Sequence, residues 1–166
     1  MTGGPVGWGF TPMTAEAAQA IALWQYEPPY DFYNWPASHD PADMVLPHAF
    51  VCFDPSGRPA GTFSFGPDGQ IPTMEESPYK PGFLDIGLRL RPDLCGKGLG
   101  QCFVLAGLAF GRREYGAGRF RLSVAAFNRR AIKTYEKCGF AVVQEVTNSY
   151  FQNKFFIMVK EKLYER

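Results

Sequence analysis

The chain has 166 residues, 46% of them hydrophobic and 20% charged, and one domain of this length, 1–166, buries roughly 70% of its unfolded surface. Its net charge of +1 and the lack of a long Lys/Arg run argue against a nucleic-acid partner, and no stretch approaches the ~18 apolar residues of a membrane-spanning helix. Because the N-terminus also lacks the basic start and apolar run of a secretory signal, we expect a cytoplasmic protein.

The first half of the chain predicts one helix and a β-hairpin. A short extended segment near Val6–Phe10 precedes "TAEAAQAIALWQ", which has helical apolar spacing, Thr14 as a candidate N-cap and Glu16 in the first turn. Pro28 and Pro29 should end this helix, because proline lacks the amide that continues it. A proline-rich aromatic loop follows, and then "AFVCFD" and "AGTFSFG" flank the turn "PSGRP", as in a hairpin.

The second half predicts alternating strands and helices. In "FLDIGLRL" every second residue is Leu or Ile, the period of a strand, and the apolar spacing is helical from Gly98 to Gly116. "RFRLSVAAF" predicts a strand, and "NRRAIKTYEKCGF" predicts a short helix with Asn128 as its N-cap. Two last strands are expected around Ala141–Val146 and Lys154–Val159. This order predicts a mixed α/β domain.

Charge is divided unevenly along the chain. Residues 1–80 contain nine acidic and two basic side chains, whereas residues 81–166 contain seven acidic and fifteen basic ones. Either these charges simply balance at the surface, or the basic half meets a polyanion and the acidic half a cation.

The four cysteines are widely spaced, without a C-x-x-C pair and without nearby histidines. We therefore expect no metal site, and reduced, mostly buried thiols. Cys102 in particular falls on the apolar stripe of the predicted second helix.

The segment "DLCGKGLGQC", residues 93–102, joins a predicted strand to a predicted helix. A Walker-type loop needs Ser or Thr after its lysine, but Gly98 follows Lys97, and a Rossmann fingerprint lacks its third glycine at the required spacing. Glycines allow a close backbone approach, and a helix N-terminus attracts anions, so a diphosphate would fit here. The alternative is a tight joint that needs glycine only for packing.

Two segments, "RPDLCGKGLG" and "NRRAIKTYEKCGF", resemble motifs of the GCN5-related N-acetyltransferases. "RPDLCGKGLG" is similar to the acetyl-CoA loop of that family, in which Gln or Arg is followed by two residues, Gly, one residue, and Gly or Ala. "NRRAIKTYEKCGF" resembles the family's Asn…Ala…Tyr-x-x-x-Gly-Phe block, and the order of elements agrees. The resemblance implies a mixed, mostly antiparallel sheet flanked by helices. It also implies transfer of an acetyl group from acetyl-CoA to a primary amine.

The resemblance further implies which residues bind acetyl-CoA. The backbone of Leu88, Arg89 and Leu90 would pair with the pantetheine arm, Asn128 would hydrogen-bond the cofactor, and Tyr135 would lie near its sulfur. The diphosphate would bind the amides that follow Cys95, which are those of Gly96, Lys97, Gly98, Leu99, Gly100 and Gln101. Cys95 itself departs from the family, where Gln or Arg is usual. We expect this change to weaken one side-chain contact without abolishing binding.

Amine acetylation needs an uncharged amine and a proton for the leaving thiolate. Tyr135 is the candidate acid, unless it is only a core aromatic. Some family members that acetylate protein N-termini carry a Glu where this chain has Ser123, which cannot act as a base. Asp85 is the best substitute, directly or through water, unless it pairs with Arg89 on the same strand face.

The acceptor is predicted to meet the aromatic loop after the first helix. Its rings and carboxylates suit a cationic amine, although a plain hydrophobic lid is the alternative. The candidate contacts are Trp24, Tyr26, Tyr30, Asp31 and Tyr33. The sequence does not choose between a small amine and a peptide N-terminus as acceptor, and it is compatible with a homodimer. A rival hypothesis is a non-catalytic acyl-CoA-binding or protein-interaction module of the same fold.

Overall fold

The computed structural model describes residues 8–161, which form a seven-stranded sheet with three α-helices. The strands are β1 (Thr11–Pro12), β2 (Ala49–Phe53), β3 (Pro59–Phe65), β4 (Leu84–Leu90), β5 (Phe120–Ala125), β6 (Ala141–Thr147) and β7 (Lys154–Lys160). The helices are α1 (Ala15–Ile21), α2 (Gly100–Tyr115) and α3 (Arg129–Lys137). The predicted extended segment near Val6–Phe10 lies partly outside the described residues, and the first described strand follows it.

The strands lie in the order β1-β2-β3-β4-β5-β7-β6. All neighbouring pairs are antiparallel except β4 and β5, which run parallel because α2 carries the chain back between them. The prediction of a mixed, mostly antiparallel sheet flanked by helices is confirmed. Within residues 8–161, no helix has the length and apolar character that a membrane crossing requires.

Successive side chains along each strand point to opposite faces of the sheet, and both faces carry apolar clusters. On one face, Phe63, Ile86 and Leu122 pack with Phe103 and Leu108 of α2. The opposite face has two smaller clusters, one around α1 and one around Phe155. This period-2 alternation in β4 and β5 was visible in the sequence, and it fixes which side chains turn towards α2 and α3.

The parallel pair β4 and β5 is joined at one end only. Hydrogen-bonded register runs through Leu84↔Phe120, Asp85↔Arg121 and Ile86↔Leu122 and then stops, although both strands continue. Beyond this point the facing backbone edges of β4 and β5 are not paired with each other. Their outer edges are still held by β3 and β7. The sheet therefore has a gap between two strands that are both fixed from outside.

Helix α1 ends before Pro28 and Pro29, the residues at which the sequence predicted its end. It stops at Ile21, and Leu23 is 78% exposed while Trp24 is buried against α1 and β2. The chain turns here because the indole packs into the core on the sheet, a tertiary contact that local propensity does not report. Pro28 and Pro29 then fall in the following loop.

The predicted place of Cys102 on the buried stripe of α2 was wrong. The buried face contains Phe103, Val104, Gly107, Leu108 and Gly111, and Cys102 is exposed. Two of these five positions are glycines that make room for aromatic rings of the sheet, so a count of apolar residues places the stripe incorrectly. Cys52 and Cys138 are buried, as expected for reduced thiols, and Cys95 is partly buried.

Candidate active site

A cavity of about 460 Å³ lies where β4 and β5 separate. The unpaired parts of the two strands form its walls, with residues 87–90 on one side and 123–125 on the other. The N-terminal ends of α2 and α3 close one end, and rings from the 26–33 segment cover another part. Free backbone edges on facing strands can hydrogen-bond an extended ligand placed between them.

The glycine-rich joint forms the end of the cavity next to α2. Gly96 and Gly98 have φ angles of 73° and 77°, a region that residues with a side chain rarely adopt. Gly100, Gln101 and Cys102 begin α2, and within residues 8–161 their amides donate to no other protein group. Such amides together with the helix dipole attract phosphate.

Arg130 of α3 adds a formal positive charge beside this joint. One terminal guanidinium nitrogen lies 3.7 Å from the position that a Cβ on Gly96 would take. The guanidinium also lies over the ring of Tyr30, at 4.2 Å from the ring centroid. Sequence reasoning missed Arg130, since its neighbours Arg129 and Lys133 carry the same charge and only the helix orientation distinguishes them.

Most residues predicted to bind the cofactor line this one cavity. They are Leu88, Arg89, Leu90, Cys95, Gly96, Gly98, Gly100, Gln101, Asn128 and Tyr135, whereas Lys97 and Leu99 do not line it. The thiol of Cys95 donates to the carbonyl oxygens of Leu90 and Arg91, both at 3.6 Å. Burial raises the pKa of this thiol, so it is uncharged at neutral pH.

Both polar atoms of the Asn128 side-chain amide form hydrogen bonds within the protein. Its Oδ1 accepts a hydrogen bond from the Ala131 amide at 3.1 Å, which confirms it as the N-cap of α3. Its Nδ2 donates to the Tyr33 hydroxyl, also at 3.1 Å. The amide group therefore connects the start of α3 with the aromatic segment that covers the cavity.

Tyr135 is partly buried in the wall of the cavity. Its hydroxyl makes no hydrogen bond to any residue in the described part of the chain, so it is available to a ligand. Burial raises the pKa of Tyr135 well above the usual tyrosine value, with smaller contributions from Tyr33 and two cysteines. The phenol therefore keeps its proton at neutral pH.

Asp85 is not placed where the sequence analysis expected a base. It is 4% exposed, and its Oδ1 accepts from Arg121 Nε at 2.5 Å. Its Oδ2 accepts from Arg121 at 2.9 Å and from Gln70 at 2.9 Å. Asp85 does not line the cavity, and its partner is Arg121 on β5, opposite it in the parallel register, rather than Arg89.

Ser123 lines the cavity and is held by a tyrosine that the sequence did not single out. Ser123 Oγ and Tyr79 Oη share a hydrogen bond of 2.6 Å, and Tyr79 Oη also accepts from the Ile71 amide at 3.2 Å. Burial raises the pKa of Tyr79. Tyr79 comes from the long loop before β4, where no local pattern shows which strand it will meet.

Three of the five predicted acceptor contacts line the cavity. Tyr26, Tyr30 and Tyr33 do so, and Tyr26 donates to the Leu90 carbonyl at 2.7 Å. Burial raises the pKa of Tyr26 to about 12. Trp24 is instead buried in the core beside α1, and Asp31 is exposed outside the cavity. The prediction that these two contact the acceptor is therefore not supported.

No group of three or more His, Cys, Asp or Glu side chains in the described part of the chain could hold a metal ion. The polar groups that line this cavity are backbone amides and carbonyls, side-chain hydroxyls and amides, the Cys95 thiol, and the cationic groups of Arg89, Arg130 and Lys137.

Solved structures of acetyltransferases share this fold. The aminoglycoside acetyltransferase AAC(6')-Ib in complex with coenzyme A is 22% identical, with a TM-score of 0.69 over 92% of this chain and 93% of that chain. A chimera of the spermidine N-acetyltransferase SpeG from Vibrio cholerae and hSSAT is 15% identical, with a TM-score of 0.71 over 94% and 96%. An acetyltransferase of the GNAT family from Bacillus anthracis is 13% identical, with a TM-score of 0.67 over 90% and 92%.

Sequence comparison gives a more specific result than fold comparison. No curated protein matches the chain. Residues 12–140, well over half of the chain, match the Acetyltransferase (GNAT) family. The matched range includes β4, the glycine-rich joint, β5 and α3, which are the elements that form the cavity. The chain therefore belongs to the GNAT family of acetyltransferases, whose co-substrate is acetyl-CoA.

Proposed function

We propose that this protein transfers the acetyl group of acetyl-CoA to the nitrogen of a primary amine. The observation that carries the proposal is the gap between β4 and β5, which ends at a glycine-rich helix N-terminus with free amides. An extended arm with a diphosphate at one end fits this combination, because strand edges bind the arm and helix amides bind the anion. The similar solved structures include an aminoglycoside acetyltransferase and a spermidine N-acetyltransferase, which supports an amine acceptor.

In this proposal main-chain groups make most of the contacts to acetyl-CoA, and few side chains are needed to bind it. Bound acetyl-CoA supplies an activated thioester. Residues 87–90 and 123–125 would position its arm through main-chain hydrogen bonds, and Arg130 would add charge near the phosphates. The neutral thiol of Cys95 would not repel the diphosphate, although it lacks the positive charge of the usual Arg. We infer that Arg130 partly compensates for this departure.

Tyr135 is the proposed proton donor. The nitrogen–carbon bond forms while the carbon–sulfur bond breaks, and the phenol of Tyr135 gives its proton to the leaving sulfur. The proton lost by the amine nitrogen restores the phenol through solvent, so the step is balanced. The raised pKa of Tyr135 means that its phenol is protonated over the whole neutral range.

A base among the carboxylates is not part of this proposal. Asp85 is fully engaged with Arg121 and Gln70. Among the described residues, no Asp or Glu lines the cavity. The amine would therefore enter without its proton, which was lost to bulk water, and the hydroxyl of Ser123, which lines the cavity, would accept a hydrogen bond from it.

Two measurements together test the proposal. Acetyl-CoA should raise the melting temperature, since a ligand at 100 times its Kd adds about 2.7 kcal/mol to the free energy of unfolding. Release of free thiol in the presence of a panel of amines should then exceed hydrolysis without amine. Stabilisation without thiol release would favour the non-catalytic module, and no stabilisation at millimolar acetyl-CoA would reject both.

The acid role of Tyr135 is tested by Tyr135→Phe. We expect kcat to fall by about two orders of magnitude, the smaller end of what a positioned general acid contributes. The KM for acetyl-CoA should change little, because the ring remains. Tyr115→Phe is the control, since Tyr115 lies outside the cavity and bonds His48 instead. Unchanged kcat in Tyr135→Phe would assign its proton to another donor.

A further inference from the structure

Four aromatic side chains, which we call the aromatic rim, form a connected cluster beside the cavity. They are Phe32, Phe127, Tyr150 and Phe151. Ring centroids are 4.9 Å apart for Phe32 and Phe151, and 5.7 Å apart for Phe32 and Phe127. Phe127, Phe151 and Tyr150 are 38%, 51% and 69% exposed. Three separate segments of the chain bring these rings together, so they form one exposed apolar surface.

The aromatic rim is continuous with the cavity wall. Phe127 lies 5.9 Å from Tyr33 and 6.1 Å from Tyr30, measured between ring centroids, and both tyrosines line the cavity. Phe32 lies 6.4 Å from Phe155, which also lines it. A ligand that reaches the gap between β4 and β5 from this side therefore passes along aromatic rings.

The charged groups that line the cavity are all cations. They are Arg89, Arg130 and Lys137. Asp31, the carboxylate predicted to contact the acceptor, is exposed and does not line the cavity. A substrate with several ammonium groups would have to lose their hydration without gaining a carboxylate partner in the described part of the site.

Aromatic rings can also attract cations through their faces. The ring face of Tyr30 is already taken by Arg130, whose guanidinium carbon lies 4.2 Å from the ring centroid. In the aromatic rim the rings meet edge to face, with interplanar angles of 65° for Phe32 and Phe151 and 84° for Phe32 and Phe127. Because these rings contact one another directly, they form a continuous apolar wall.

From these observations we propose that the acceptor is a small primary amine attached to an aromatic group and carrying no second positive charge. The inference rests on the proposed acetyl transfer and specifies its second substrate. The aromatic group would lie on the aromatic rim, and the amine would reach the Ser123 hydroxyl inside the gap. Polyamines and aminoglycosides would be poor acceptors of this protein.

A matched panel tests the preference. Release of free thiol is measured with 2-phenylethylamine, spermidine and kanamycin, and with the tripeptide Phe-Gly-Gly, at saturating acetyl-CoA. We expect kcat/KM for 2-phenylethylamine to exceed that for spermidine and for kanamycin by at least about tenfold, the effect of one well-placed apolar contact. A higher kcat/KM for either polycation would overturn the proposal. A higher value for the tripeptide would replace the small amine by a peptide acceptor.

Variants of the rim locate the preference in the structure. Phe151→Ala and Phe127→Ala should each raise the KM for 2-phenylethylamine several-fold, and should leave the KM for acetyl-CoA within about twofold, because neither ring lines the cavity. Phe53→Ala is the matched control, since Phe53 is similarly exposed at 40% on β2, away from the rim. Rim variants that behave like Phe53→Ala would contradict the assignment.

Binding measurements separate this inference from the proposed function. Titration of 2-phenylethylamine and of spermidine into the complex of the full chain with coenzyme A needs no turnover. If the aromatic amine binds more tightly while no amine is acetylated, the preference holds and the transferase function fails. If acetylation occurs but spermidine binds as tightly or more tightly, the transferase function holds and the preference fails.

Discussion

At the scale of single residues, the carboxylate of Asp85, which the sequence suggested as a base, forms a buried ion pair with Arg121 instead. Both carboxylate oxygens are used by Arg121 and Gln70, and Asp85 and Arg121 are each 4% exposed. A buried ion pair contributes little net stability compared with apolar residues, but removal of one partner leaves a buried charge without compensation. A single substitution of either Asp85 or Arg121 should therefore destabilise the protein.

We expect Asp85→Asn to lower the free energy of unfolding by about 3–5 kcal/mol, since Arg121 would stay buried without its partner. Glu145→Gln is the control, because its ion pair with Lys154 is about half exposed, at 51% and 65%, and such pairs contribute about 1 kcal/mol or less. Urea denaturation at pH 7 measures both. A variant with normal stability and a kcat reduced by two orders of magnitude would restore Asp85 as a base.

The sequence predicted the site unevenly at this scale. Leu88, Gly98 and Asn128 were found because they lie in motifs on adjacent elements, where spacing reports position. Tyr79 and Arg121 were missed as partners of Ser123 and Asp85, because a loop and a neighbouring strand bring them there. Contacts between distant segments have no period along the chain, so they appear only in the folded structure.

At the scale of elements, α2 packs unusually close to the sheet. A Cβ on Gly107 would overlap the ring of Phe63, and a Cβ on Gly111 would lie 3.0 Å from Phe65 and 3.1 Å from Phe120. These glycines are needed for close approach, whereas their cost to helix propensity is about 1 kcal/mol each. The helix that begins at the glycine-rich joint is thereby fixed against β3 and β5.

Gly107→Ala should therefore destabilise the protein, although alanine is the better helix former. Because Phe63 is fully buried, the overlap forces the ring or the helix to move, and overpacking of this kind costs typically about 1–3 kcal/mol. Gly118→Ala is the control, since no atom lies within 4 Å of its new Cβ. Thermal unfolding of both variants tests this, and equal melting temperatures would show that α2 can shift freely.

Element order and most boundaries followed from local patterns, and the exceptions have a common cause. Strands β6 and β7 agree with the predicted ranges to within one residue at their C-terminal ends. The end of α1 and the buried face of α2 did not follow, because Trp24 and Gly107 are placed by contacts with the sheet. Apolar periodicity indicates which face of a helix carries apolar side chains. It does not indicate which face can pack closely against the sheet.

At the scale of the whole molecule, the uneven charge along the chain does not place carboxylates in the lining of the described cavity. Carboxylates of the first half are used in turns, as in Asp54, which accepts from Ser56, Arg58 and Arg91. Arg91 in turn donates to Asp93 at 2.7 Å, next to the glycine-rich joint. These contacts connect the turn between β2 and β3 with the start of the joint.

This network makes stability sensitive to acid. Hydrogen bonds from Ser56 hold the pKa of Asp54 well below its usual value, and the Arg91 hydrogen bond lowers the pKa of Asp93. Because both folded-state pKa values are lowered, their stabilisation is complete above the ordinary aspartate pKa of about 3.9. It is lost as the pH falls from there through the folded-state values.

We therefore expect the urea midpoint to change little between pH 7 and pH 5 as far as these two groups are concerned, and to fall below about pH 4. Asp54→Asn should be less stable than the native chain at pH 7 and should lose less on acidification, because one of the titrating groups is gone. Denaturation curves at several pH values decide this. Parallel pH profiles for the two proteins would show that Asp54 does not contribute.

The gap between β4 and β5 has a consequence for how this protein can change over time. Its walls offer main-chain amides and carbonyls at residues 87–90 and 123–125, and every amino acid except proline supplies the same two groups. A co-substrate recognised in this way places few demands on side-chain identity, which accommodates a cysteine at position 95. Substitutions around the gap are then free to alter the choice of acceptor while the hold on the acetyl donor is kept.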